Sequence, residues 1–454
     1  MTGSISTLLP GNVTHRNPTQ ESASGVKHPL LSLPTELLEY ITQYVMKGDT
    51  QEQAIANVIR WRQVSIASYQ ATHASCIAGV INQMEQKKRQ EYQEHLDEAL
   101  ITLWQKEIDD YLPRSVRQHL VSNVPYTATS AKIRQQDAAR IRQWMLDRKC
   151  ANTLSHITKL DLSFSKLKAI PPEIALLRNL RILKLENNQI TQIDPQILAN
   201  CTALKELSLC GNWITHLDPY TFANCAILKT LSLSDNRITH IDFRTFVGCT
   251  ALETLFLISN QIVKIGPHTF APCPSLKELY LHGNKLTQIG PLALAGCPSL
   301  WSLNLDQNQI THIYPRAFAG CPALSYLTCD SNQLTQIGAE TFAGCLALRT
   351  LRLCFNQISQ IDPKAFTDRH CPSLRELVLY NNQIGQIAPY TFASCFALEN
   401  LSLTHNPNLQ IGPYTFAGCS ALKTLHLRDN PNMQIDLEAL ADCPALQWLY
   451  LDDT

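Results

Sequence analysis

The sequence predicts an α+β protein. Its larger part is an α/β solenoid, a horseshoe with short parallel strands on the concave face, and an all-helical region precedes it. Three observations predict this. The pattern LxxLxLxxNxI recurs thirteen times between residue 157 and the end, a weak first copy and a shortened last one included. Most copies are followed by a second pattern, IxPxxFxxCxxL. Upstream of residue 155 the apolar residues recur at helical spacing instead of alternating.

The repeat begins weakly at ITKLDLSFSKL (157–167) and becomes regular at LRILKLENNQI (180–190) and LKELSLCGNWI (204–214). Its period is 24 residues nearly throughout, with two extra residues near TDRHCPSL. In LxxLxLxxN the alternating leucines of a short strand point inward and the residues between them face out. One such unit cannot bury its apolar edge alone, so neighbours stack and share a continuous core. The Asn of each copy, from Asn188 through Asn308 to Asn430, is expected inside. There its amide can donate to and accept from main-chain groups left unpaired where the strand turns away.

The second pattern builds the convex side. Phe222, Phe246, Phe270, Phe318, Phe342, Phe366, Phe392 and Phe416 are in register, with Leu294 and Leu440 taking the same place in two copies. They are expected to stack as a spine. Eleven of the sixteen cysteines keep the same period, from Cys201 to Cys443, and there is no CxxC pair. Such spacing points to small buried side chains, with reduced thiols that suit a reducing cytosol, and away from zinc or a disulfide framework. On these motifs residues 155–454 resemble leucine-rich repeat proteins.

The first 154 residues divide by composition. Residues 1–27 are polar and read as a disordered tail. Within 28–75, the stretch LPTELLEYITQYV (33–45) places Leu33, Leu37, Leu38, Ile41 and Val45 on one helical face, with Pro34 in the first turn. A second apolar helix follows and runs into RQVSIASY. Residues 76–154 read as a linker and cap. A helix over 76–111 would span roughly 50 Å, and an amphipathic helix over 131–157 would cover the first repeat. After the last strand only Asp452 and Asp453 offer polar cover to the apolar end of the stack.

The wording of LPTELLEYITQYV, followed by the Val64–Ser65 step, resembles the F-box. The spacer MKGDTQEQAIANVIRWRQ is longer than that family's usual spacing, and the Trp often found after the Val-Ser step is absent. The resemblance implies docking to the Skp adaptor, and through it to a cullin scaffold, by Leu33, Pro34, Leu37, Leu38, Ile41 and Val45. Joined to 24-residue repeats of the Asn type, it is similar to F-box effectors that intracellular bacteria deliver into a host cytosol. It implies a non-catalytic substrate receptor of a ubiquitin ligase, cytoplasmic or secreted by a bacterium into the host. The alternative is an interaction scaffold whose N-terminal helices bind a partner unrelated to ubiquitination.

Composition narrows the partners. Lys plus Arg and Asp plus Glu both number 38, so broad electrostatic binding to nucleic acid or anionic membrane is not expected. No stretch is apolar enough for a membrane helix or a signal peptide. No nucleophile stands with a base in sequence, no Gly-rich phosphate loop is present and no cofactor is implied. A ligase using Cys76 or Cys150 as a thioester carrier is the one catalytic option. The outward strand positions are free of the fold's demands, and large side chains there are typical of interface anchors. Phe256, Ile258, Tyr280, His282, Tyr326, Arg352, Val378 and Tyr380 are therefore the expected contact surface for a target protein. The early copies, with Ser208, Ser232 and Ser234, are poorer in such anchors.

Overall fold

In the computed structural model the described residues are 72–108, 120, 131–147, 150–366 and 370–452, with side chains from residue 82 onward except at 107 and 108. The F-box-like residues Leu33, Pro34, Leu37, Leu38, Ile41 and Val45 lie outside them. The chain divides into two compact units, Met1–Gln90 and Glu91–Thr454. In the first unit the described residues are helical. They open α1 (Thr72–Leu103), which ends in a π-helical turn, Trp104–Ile108.

The second unit contains one 13-stranded parallel sheet whose strand order follows the chain. Each strand is only three residues long, from Lys159–Asp161 to Trp448–Tyr450, and pairs in register with the copies before and after it. Leu279, for example, sits opposite both Leu255 and Leu303. Most strands carry a buried leucine between two partly exposed residues, the alternation that a sheet with one covered face demands.

Three ladders run beneath this sheet. All the repeat asparagines from Asn188 to Asn430 are buried. Asn308 shows their work. Its Oδ1 accepts from the Leu286 N–H at 3.0 Å, and its Nδ2 donates to the carbonyls of Leu281 and Leu305 at 3.1 and 3.0 Å. One amide thus ties two successive turns at the point where main-chain groups leave the sheet. The phenylalanines form the second ladder, with ring centroids 5.7 to 6.3 Å apart along Phe318–Phe342–Phe366–Phe392–Phe416. Leu294 is buried in the spine and Leu440 is partly covered.

The cysteines form the third ladder, and they do more than fill space. The Cys297 thiol donates to the Phe270 carbonyl of the preceding turn at 3.6 Å, and Cys321 and Cys419 repeat the contact at 3.5 Å on Leu294 and Phe392. A leucine would fill the volume but could not give that buried carbonyl a second donor. Burial pushes the Cys225 and Cys297 thiols up to about 12.

At the front of the stack, the helix expected across 131–157 is two helices: α2 (Ala131–Leu146) and α3 (Ala151–Ser155). The apolar stripe of α2 ends at Met145, the Cys150 N–H donates to the Asp147 carbonyl, and Leu154 and Ile157 enter the core. Arg142 of α2 reaches Asp97 of α1 at 3.1 Å and Glu173 of the first convex turn at 2.5 Å, while Trp104 meets Trp144 edge-on at 5.2 Å. At the last strand Asp452 accepts from the Asp429 and Asn430 N–H groups, and Trp448 stays exposed.

Candidate functional site: the open face of the sheet

On the open face, side chains alternate with the buried leucines and fall into columns that run from turn to turn. All eight residues expected to contact a target stand in these columns, and none is buried. The structure gathers them into two groups. Phe256 and Tyr280 are neighbours in register and their rings stack at 4.9 Å, nearly parallel. Ile258 and His282 occupy the next column, with the His282 ring edge-on to Tyr280 at 6.5 Å. The Tyr280 hydroxyl donates to Glu278 at 3.1 Å. The second group is Arg352, Val378 and Tyr380. They line an open pocket of about 540 Å³ together with Cys354, Phe355, Ser402, Thr404 and His426. Tyr326, 39% exposed, stands between the groups in the first column.

Acidic residues separate the two groups. Asp330 pairs with Arg352 at 3.2 Å and accepts from the Cys354 N–H at 2.6 Å. Asp306 accepts from the Asp330 N–H at 2.7 Å. Among the described residues no lysine or arginine pairs with Asp306. Burial is the main reason its carboxyl sits above the usual range, and the Asp330 charge adds to this. Beside it, Nδ1 of His282 is buried without a hydrogen-bond partner.

Phe355 was not among the expected residues. It occupies the turn just after the strand, where the backbone has positive φ in every regular copy; there φ is 54°. In other copies this position holds Asn187, Gly211, Asp235, Ser259, Gly283, Gln307, Ser331, Asn381, His405 and Asp429, and the weak first copy carries Phe164 there. A bulky aromatic residue in left-handed backbone is strained; Phe355 shares that backbone with Phe164, Tyr220, Tyr390 and Tyr414. Phe355 is also 48% exposed and packs edge-on against Tyr380 at 5.1 Å, with His405 on the other side of that tyrosine. The signal was present in the sequence as LCFNQ, where other copies read LSDNR or LHGNK.

Among the described residues no cluster of His, Cys, Asp and Glu could hold a metal ion, and no helix is long and apolar enough to cross a membrane. Burial, and then Asp147, raise the Cys150 thiol above its ordinary value. A thioester carrier needs the opposite shift.

The sequence family of the BspA type leucine rich repeat region matches residues 239–372 in six copies. A second leucine rich repeat family matches 155–212, 202–262, 347–407 and 397–454. Residues 155–454 are a leucine-rich repeat array. No curated protein matches the chain. Among solved structures, the array is similar to a chain from the octameric complex of Latrophilin 3, Unc5D and FLRT2 (LRR), at 26% identity and TM-score 0.51. That match covers 60% of this chain and 82% of the other. It is also similar in fold to a chain of the TLR13–ssRNA13 complex (24% identity, TM-score 0.53, 65% and 48% covered) and one of the mouse RP105/MD-1 complex (24%, 0.51, 64% and 49%). The chain therefore spans about half the length of TLR13 and of the matched mouse chain. A leucine-rich repeat solenoid of this kind is a scaffold for protein interaction.

Proposed function

We propose that this protein is a non-catalytic substrate receptor: the open face of the repeats holds a target protein, and the N-terminal stretch joins it to the Skp adaptor of a cullin ubiquitin ligase. The observation that carries the target-binding half is the run of partly exposed aromatic and charged side chains from Phe256 to Tyr380 on a face the buried ladders do not use. Large apolar side chains left in water serve recognition more often than folding. The adaptor-binding half rests on LPTELLEYITQYV and its resemblance to the F-box. A receptor of this kind does no chemistry itself and raises the local concentration of its target near the conjugating enzyme. It acts in a eukaryotic cytosol, which a bacterial effector would reach by delivery into the host.

Purified Skp adaptor is the deciding probe. The full chain should retain the adaptor, and a Leu33→Ala/Pro34→Ala variant should lose it while melting at the same temperature. If wild type and variant retain it equally, or neither does, the ligase reading fails. The repeats then stand as a scaffold whose N-terminal region serves another partner.

A further inference from the structure

Two residues of the open face cost the fold something. Phe355 places a phenyl ring on a left-handed turn that Asn or Gly would occupy with less strain. Asp306 holds a carboxylate in a half-covered position with a second carboxylate and the His282 ring beside it, and among the described residues no lysine or arginine pairs with it. Neither residue belongs to the Asn, Phe or Cys ladders. A carboxylate without a lysine or arginine partner gains from a cation, and a half-exposed aromatic ring gains from an apolar side chain that covers it.

Their separation sets the occupant's geometry. Asp306 follows the strand Ser302–Asn304, and Tyr380, on which Phe355 packs, follows Glu376–Val378. Three parallel strand spacings lie between them, or about 14 Å along the row. An extended chain advances about 3.3 Å per residue, so about four residues cover the distance, and residues four apart face the same side. Arg352 guards the middle of the row. It is already neutralised by Asp330, so the net charge left to satisfy is that of Asp306.

Resting on the target-binding reading above, we propose that the open face docks an extended protein segment. That segment carries a lysine or arginine on Asp306 and, four residues away, a bulky apolar side chain in the Phe355–Tyr380 pocket. His282 borders the cation end.

The test is a display selection of random twelve-residue peptides on the full chain, followed by fluorescence anisotropy with the best synthetic peptide. Enriched peptides should pair Lys or Arg with Phe, Tyr, Trp or Leu at a separation of four. Replacing the basic residue by Glu, or the protein's Asp306 by Asn, should weaken binding at least tenfold, and Phe355→Asn should do the same. Both protein variants are expected to melt no lower than wild type, so lost binding cannot be assigned to misfolding. Peptides that lack the pairing, or whose binding ignores Asp306→Asn, would overturn the proposal. If those peptides still lose affinity on Tyr380→Ala, the face remains a docking surface with a different guest. If no peptide is enriched, the extended-segment proposal fails, whereas the adaptor pulldown is untouched.

Discussion

The strands from Ile182 to Ser232 and those from Thr254 to Val378 lie in one sheet at one register, yet they present different faces. The earlier set has Lys184, Ser208, Ser232 and Ser234 at these positions, with Ser208 and Ser234 buried; the later set shows Phe256, Tyr280, Arg352 and Tyr380. Beneath them the interior is the same. Asn212 and Asn356 each accept one main-chain N–H at 3.0 Å and donate to carbonyls of two turns. Phe246 and Phe342 stack alike. The contrast teaches that the solenoid fixes its ladders and leaves its columns free, so the columns are where recognition can differ from turn to turn.

The sharpest way to break that comparison is to open the spine in both regions. Phe246→Ala and Phe342→Ala should each cost about 3–5 kcal/mol, read as a fall in the urea midpoint. A large difference between the two would mean the interior is not uniform. Next comes the amide ladder. Asn212→Ala and Asn308→Ala each strand one buried main-chain N–H and leave two carbonyls with only the neighbouring ladder amide as side-chain donor, and each should cost about 1–3 kcal/mol.

The surface should then behave with the opposite sign. Phe355→Asn relieves a bulky residue in left-handed backbone and should stabilise by about 1 kcal/mol, raising Tm, whereas Ser232→Ala in the early region should leave Tm where it is. A lower Tm for Phe355→Asn would place that ring among the groups that hold the fold.

The smallest effect concerns the exposed edge. Glu253 bridges Lys229 and Lys277 at 2.7 and 2.8 Å, and these two partners hold its carboxyl down at about 2 from an ordinary 4.5. A depressed carboxylate contributes stability above its unfolded value and loses it as pH falls through the folded one. The gap between wild type and Glu253→Gln should therefore shrink between pH 4.5 and 2, and it should shrink in high salt at neutral pH. Chemical denaturation across that range checks both.

Much of this was legible beforehand because a repeated unit must bury the same positions each time. The period located the strands, the Asn and Phe ladders and the outward columns, Tyr280 and Tyr380 included. Phe355 escaped because the columns were counted within the strand, and its interest lies in the backbone of the following turn. Asp306 escaped for another reason. Whether a carboxylate finds a cation depends on residues a full turn of the solenoid away.

The sequence by itself determined that identical turns stack, how many there are, and which side chains face inward, since those follow from local periodicity and the need to bury apolar area. Only the tertiary structure decided which turn's carbonyl each cysteine thiol meets, where the capping helix breaks, and that Phe355 packs on Tyr380 in the row that begins at Asp306. Those facts depend on the register between turns some 24 residues apart, where packing and hydrogen bonding are settled jointly by both neighbours.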